Sequence, residues 1–297
     1  MFKSIRVNKA RTFFIVLLVC AFVYGVVFFA GHMMGMGVEA FILAFIFMFF
    51  SCFFSYFYSD KIILRLMRAR PADETTDRLV KNAMQGLIIA SGMPMPRVYI
   101  IEEDSLNAFA TGRNPNNAVV AVTRGLVKHL DYYQLEAVLA HELAHIRNYD
   151  ILLSTVVTVM VGAAVMLCQW VTRMAFWGGG RGGDRNSGKA GAILMIVGLV
   201  FMVLAPIFGQ LLKMSLSRNR EYLADATAIE FTRNPEGLAG ALEKIAGNSE
   251  ISRADTATAS MFIACPVSNL KGKERRCLFA THPPIQSRID AIRNITA

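Results

Sequence analysis

The sequence predicts an integral membrane protein, mainly α, in which four transmembrane helices carry a cytoplasmic α+β domain with a small β-hairpin or sheet. Three observations predict it. Of the 297 residues, 54% are hydrophobic and the mean hydropathy is +0.42, too apolar for an ordinary soluble domain of this size. Four stretches of 20 to 23 residues, Thr12–Gly31, Ala40–Ser59, Ile151–Thr172 and Ala190–Leu212, contain no charged side chain. About 20 residues at 1.5 Å rise cross a hydrocarbon core of ~30 Å. The polar remainder, 60–150 and 213–297, amounts to 91 and 85 residues with helix and strand periodicities, enough for one shared core. The organisation expected is therefore 1–59 as a transmembrane hairpin, 60–150 as the first part of the polar domain, 151–212 as a second hairpin and 213–297 as the domain's second part.

Span one follows Lys3, Arg6, Lys9 and Arg11. It is longer than the apolar core of a signal peptide, no A-x-A-like site follows, and a second span does. Lys61, Arg65, Arg68 and Arg70 follow span two, and the loop between the spans carries no Lys or Arg. By the positive-inside rule both ends of this hairpin face the cytoplasm. The loop between spans three and four holds Arg173, Arg181, Arg185 and Lys189 and points the other way; the earlier hairpin decides. Spans three and four also contain Ser154, Thr155, Thr158, Gln169, Pro206 and Gly209, so a buried core hairpin is the alternative for them. Both termini and the polar domain are expected in the cytoplasm. The net charge of +9 then reads as topology and contact with anionic lipid, not nucleic-acid binding. The five cysteines form no C-x-x-C; Cys20, Cys52 and Cys168 lie inside spans, and Cys265 and Cys277 read as reduced thiols.

Within the polar domain, an apolar-periodic stretch from about Arg78 to Ser91 predicts a helix stopped by Gly92 and Pro94. Arg97–Ile101 and Ala118–Val122 are β-branched runs that bracket a turn-rich tract, Thr111-Gly-Arg-Asn-Pro-Asn-Asn, and predict a hairpin. Asp131 with Gln134 three residues later fits a capping box, and Leu135, Val138, Leu139 and Ile146 continue a helical stripe to about Arg147. The glycine-rich tract Trp177–Gly188 has no G-K-[ST] ending and follows a membrane span, so it reads as a loop and not a phosphate cradle.

That last helix carries His141-Glu142-Leu-Ala-His145, an H-E-x-x-H pattern. Residues four apart project from one helix face, so two imidazoles can converge on one ion while Glu142 lies beside them. Two neutral His and one carboxylate fill three positions of a zinc tetrahedron and leave the fourth for water. A solvated His/Glu helix is the other reading of the pentapeptide alone. A third ligand is available in Arg220-Glu221-Tyr-Leu-Ala-Asp225: Glu221 can reach an ion, while Asp225 can accept from the second nitrogen of a ligand histidine. An ordinary acidic i,i+4 pair is the alternative there. Sharing one ion between His145 and Glu221 requires an even number of crossings between them, and spans three and four supply two. Asn148 and Asp150 close the motif helix, either shaping the site or as a plain helix-end polar cluster; His32 and His129, the latter expected at a helix start, read as solvated.

H-E-L-A-H, a membrane hairpin, then E-Y-L-A-D, preceded by two spans, resembles the bacterial HtpX family of membrane-bound zinc metalloproteases, relatives of the CAAX prenyl endopeptidases. Asn107-Ala-Phe-Ala-Thr-Gly112 and Thr281-His282-Pro-Pro also match tracts of that family. The resemblance implies a zincin-like domain and one Zn2+ per chain on His141, His145 and Glu221. Glu142 would be the catalytic base and Asp225 would support a ligand histidine. Asn107, Ala108, Phe109 and Ala110 would lie on an edge strand that pairs with substrate, and His282 with Arg288 would stabilise the oxyanion. It further implies an inner-membrane quality-control protease acting on damaged or misassembled membrane proteins, or other unfolded polypeptides, at the cytoplasmic face. A client-binding zinc scaffold, a carrier and a CAAX-type prenyl endopeptidase are the competitors. The spans hold no ionisable residue for a carrier, no cysteine near the motifs closes a structural zinc site, and CAAX-type relatives have more than four spans.

Overall fold

The computed structural model describes residues 37–152, 154, 155, 159, 218–246, 263 and 283–294, with scattered residues between 10 and 32. The chain divides into two compact units: Met1–Lys9 with Ser59–Thr155 and Lys213–Ala297, and Ala10–Tyr58 with Val156–Leu212. The described elements are α1 (Val38–Leu66), β1 (Arg70–Pro71), α2 (Arg78–Ser91), β2 (Arg97–Ile101), β3 (Ala108–Gly112), β4 (Ala118–Thr123), α3 (Arg124–His129), α4 (Tyr132–Arg147), α5 (Arg218–Thr232), α6 (Pro235–Ala246) and α7 (Ile285–Asn294). The architecture is helical with one small mixed sheet.

Among the described residues no single helix is long and apolar enough to cross a membrane. Phe41–Ser51 and Phe53–Leu66, bent by 43°, pass that test as a pair, and Val16–Gly25 is a shorter apolar helix. Along α1 the large apolar side chains, Phe41, Phe45, Phe49, Phe50, Phe53 and Phe54 among them, are exposed. Predicted spans three and four lie almost wholly outside the described residues, as do the glycine-rich tract, Cys168, Cys265 and Cys277. Cys20, placed by the sequence inside span one, is buried and disulfide-bonded.

In the first unit the sheet order is β1-β2-β4-β3, with β2 parallel to β4 and β3 antiparallel to β4. This corrects the predicted hairpin of Arg97–Ile101 with Ala118–Val122. Those runs pair, but in parallel, and the hairpin partner of β4 is β3. The sequence Ala-Phe-Ala-Thr-Gly hides β3, because only Phe109 and Thr111 carry strand-favouring side chains. Gly112 ends β3 at φ +129, and a Cβ there would lie 2.3 Å from the Asn117 carbonyl oxygen, so the reversal needs glycine. Alternate strand residues, Val98, Ile100, Ala108, Ala110, Val120 and Val122, join one core with Val80, Met84 and Leu87 of α2, Leu135, Val138, Leu139 and Leu143 of α4, Leu238, Leu242 and Ile245 of α6, and Ile289 and Ile292 of α7.

The helix over 78–91 ends as expected, with Gly92 left-handed at φ 66 and its N–H on the Ile88 carbonyl. The capping box at α4 is complete: Gln134 N–H donates to Asp131 Oδ1 at 2.9 Å, and Gln134 Oε1 accepts from the Asp131 N–H. His129 ends α3 and does not begin a helix; its Nδ1 lies 2.9 Å from the Gly125 carbonyl.

The fully buried Asp77 ties the N-terminal end of this layer together. Arg70 of β1 and Arg124 of α3 each meet its carboxylate at 2.8 Å, and Glu102 bridges the same two guanidinium groups. Burial alone would raise the Asp77 pKa, but hydrogen bonds from Arg70, the Asp73 amide and Arg124 prevail and hold it below the usual carboxylate range. A carboxyl whose folded pKa is depressed contributes stability above its unfolded pKa and loses it as pH falls through the folded value. Thermal unfolding against pH should therefore show stability declining below the ordinary carboxylate range. Asp77→Asn should cost about 3 kcal/mol at neutral pH and flatten that acid limb. An acid limb as steep in Asp77→Asn as in the parent would show that other groups carry the effect.

Candidate metal centre

α4 is an apolar helix with a polar patch. Ten of its sixteen residues are buried, among them His141 and Glu142 inside a run of Ala and Leu. Buried imidazole and carboxylate groups are costly unless partnered, so the partners say what the patch is for. α4 packs against α2, α5, α6 and β3, and α5 brings Glu221 and Asp225 to the patch while α7 brings Arg288.

One ligand atom from each of His141, His145 and Glu221 lies within 4.8 Å of the others. The two Nε2 atoms are 3.1 Å apart, and Glu221 places Oε2 3.7 Å from His141 Nε2 and Oε1 3.7 Å from His145 Nε2. Tetrahedral bonds of about 2.0–2.1 Å put ligand atoms about 3.3–3.5 Å apart, so the three separations bracket those of a zinc sphere. The donor set, two imidazoles and one carboxylate, suits a borderline-soft divalent ion held with one position open. The residues fit a metal.

The electrostatics agree. Burial and the Arg288 charge both push the His141 imidazole down, yet the hydrogen bond with Asp225 and the nearby Glu221 carboxylate outweigh them and lift it to about 9. A pocket that holds a proton so firmly has a negative potential that favours a cation. Asp225 would be raised by burial, but the Arg288 charge and the His141 hydrogen bond hold it at about 2. His141 Nδ1 is 2.9 Å from Asp225 Oδ1. That contact turns Nε2 toward Glu221 and His145.

Arg288 differs from its expected place among substrate-contacting groups. It is fully buried; Nε and Nη2 donate to Asp225 at 2.9 and 2.6 Å, and Nη1 donates to the Ile263 carbonyl at 3.3 Å. Nη2 also lies 3.4 Å from both ring nitrogens of His141. Its guanidinium is spent on the interior. His282 lies outside the described residues.

Asn107 immediately precedes β3, and β3 is an edge strand of the sheet. The Asn107 carbonyl accepts from the Thr123 N–H at 3.0 Å, and the Asn107 N–H donates to Thr123 Oγ1. Residues 107, 109 and 111 therefore turn their backbone groups toward β4, and Ala108 and Ala110 turn theirs to the edge. The Ala108 carbonyl already accepts from the Ile263 N–H at 3.0 Å, and its N–H donates to Asn107 Oδ1.

Two further residues complete the surroundings of His145: Asp150, for which the sequence leaves a site-shaping and a helix-end role open, and Arg220, which the sequence does not single out. Asp150 Oδ2 is 3.1 Å from His145 Nδ1, and Arg220 Nη1 meets Asp150 Oδ1 at 3.2 Å. A signal for the first existed in the polar close of the motif helix, and for the second in the charge adjoining Glu221.

Residues 74–296 match peptidase family M48. A "Protease HtpX homolog" of Listeria monocytogenes serotype 4a (strain HCC23) is 39% identical over 311 residues, covering 99% of this chain and 100% of that protein. A second, from Dictyoglomus thermophilum, is 42% identical over 293 residues, covering 98% and 94%. The crystal structure of S. mikatae Ste24p aligns with a TM-score of 0.48 at 16% identity, over 98% of this chain and 67% of that one, a likeness too low to establish a shared fold. The chain belongs to peptidase family M48 and is a metalloprotease.

Proposed function

We propose that this protein is a zinc-dependent endopeptidase of the bacterial inner membrane, anchored by four helices with both termini cytoplasmic, that cuts misfolded or damaged membrane proteins at the cytoplasmic face. The convergence of His141, His145 and Glu221, with the buried Glu142 between the two histidines in sequence, carries this reading. Three protein donors among the described residues speak for catalysis, because a structural zinc site is closed by four. Membrane anchoring is supported by the uncharged stretches and by α1, which carries no charged residue from Phe41 to Tyr58 and exposes large apolar side chains there.

In this reading His141, His145 and Glu221 hold the ion. A bound zinc supplies Lewis acidity toward a carbonyl and makes water acidic near neutral pH. Glu142, 2% exposed, accepts the proton of the attacking water and returns it to the leaving amine. Asp225 keeps the proton of His141 on Nδ1, so that Nε2 presents its lone pair. A substrate segment adds along β3 through the edge-facing backbone groups of Ala110, those of Ala108 being taken by Ile263 and the Asn107 side chain; Asn107 and Phe109 fix the strand from behind. Such pairing gives affinity with little sequence preference, as a quality-control enzyme requires. His282 supplies the oxyanion donor. Arg288 supports catalysis from inside by holding Asp225.

Replacing Glu142 by Gln should lower cleavage of an unfolded membrane protein by the detergent-purified enzyme about 10²–10⁴-fold, with one zinc per chain retained. Loss of zinc from that variant would make Glu142 a ligand and overturn the assignment. Arg288→Met strands the Asp225 carboxylate in the interior and should cost about 3–5 kcal/mol in thermal unfolding, partly recovered by adding Asp225→Asn. An Arg288→Met protein of parental stability that cleaves about a hundredfold more slowly would instead put Arg288 at the substrate.

A further inference from the structure

The two histidines are supported alike, and one of the supports is new. His141 rests on Asp225, and Asp225 on Arg288. His145 rests on Asp150, whose other oxygen meets Arg220. All four outer groups are largely buried; the side chains of Asp150 and Arg220 are 9% and 13% exposed.

Asp150 reaches His145 only because the chain breaks first. In an uninterrupted helix, residues five apart stand about 140° from one another around the axis, and the carboxylate would point away from the imidazole. α4 stops at Arg147, Tyr149 adopts the left-handed conformation at φ 60, and helical structure resumes at Asp150. A residue with a Cβ adopts that conformation only against steric resistance. The turn returns the Asp150 carboxylate to His145 Nδ1, and strain of this kind gathers where geometry serves a site.

Arg220 ties the same carboxylate to the third donor. It directly precedes Glu221 on α5, and it meets Asp150 across 70 positions of sequence. One carboxylate thus contacts a histidine of α4 with one oxygen and, with the other, the residue next to Glu221.

We infer that Asp150 and Arg220 are a positioning pair for the metal centre: Asp150 fixes the tautomer and ring plane of His145, and Arg220, held by Asp150, sets the start of α5 so that Glu221 faces both histidines. This rests on the reading that His141, His145 and Glu221 hold zinc. Neither residue touches the ion or the substrate; each acts through a ligand.

The test uses the full-length, metal-free protein in detergent and measures zinc affinity by competition with a chromophoric chelator, beside thermal unfolding of the same metal-free samples. Asp150→Ala and Arg220→Met should each weaken zinc binding about 10–100-fold, and the double variant should bind no more weakly than the weaker single one. Asp150→Asn keeps an acceptor for His145 but loses the charge pair, so it should fall between Asp150→Ala and the parent. It also serves where Asp150→Ala fails to fold. Cobalt(II)-loaded samples should show a shifted d–d spectrum in the Asp150 variants, which a purely structural role would leave alone. A lowered unfolding temperature with zinc affinity within about twofold of the parent would overturn the pair as a positioning device. His145→Ala is the control: its loss of binding, with the Asp150 and Arg220 variants unaffected, sinks this inference alone, whereas parental binding by His145→Ala sinks the metal-centre reading itself.

Discussion

The structure depends on a buried polar patch in the middle of an apolar helix. His141 and Glu142 sit among Ala137, Val138, Leu139, Ala140, Leu143 and Ala144, all of them fully buried. Burying an imidazole and a carboxylate there is tolerable only if every polar atom is matched. The matching groups come from other segments: Asp225 and Glu221 from α5, Arg288 from α7, and Asp150 from beyond the break that ends α4. The helices that make the core are also the carriers of the partners. Packing and chemistry cannot be separated here, because α5 and α7 must dock for the patch to be neutralised at all.

The sheet serves the same helix from its other side. α4 lies against β3 and β4, so the edge strand runs beside the donors. The small side chains of Ala108 and Ala110 let α4 approach closely. The price is a weak strand signal, which is why periodicity alone pairs β2 with β4 as a hairpin and passes over β3. Parallel pairing of β2 with β4 across a short connection is possible because β3 fills the return path, and its Ala-rich composition makes that path invisible to periodicity.

Local rules were legible where the information is local. The α2 boundaries followed from Gly92 and an i,i+3,i+4 stripe, and the α4 start from the Asp131–Gln134 box. The motif residues were legible because H-E-x-x-H is spaced by helical geometry itself. What stayed hidden depends on contacts between distant segments. Arg288 reads as any basic residue on an amphipathic helix until its distance to Asp225 is known. Asp150 reads as a helix-end group because no sequence pattern announces that Tyr149 will turn left-handed. Charge alone could not distinguish Arg220 as a tether from Arg218 as a neighbour.

The separation of the donors has a folding consequence. His145 and Glu221 lie 76 positions apart, and closing so long a connection costs entropy that no local interaction returns. Without a cation, the closed centre also brings together Glu142, Asp150, Glu221 and Asp225, against the fixed positive charges of Arg220 and Arg288. The arginines pair with the two outer carboxylates, and Glu221 stands beside both imidazoles. A divalent ion is the natural counter-charge for that residue of negative potential, and ligand sites that are complete only in the folded chain turn metal-binding free energy into folding free energy. The enzyme therefore gains its last increment of order and its catalytic competence in the same event. Until the segment beyond residue 212 has docked on α4, the histidines have no third donor and the protease is not yet assembled.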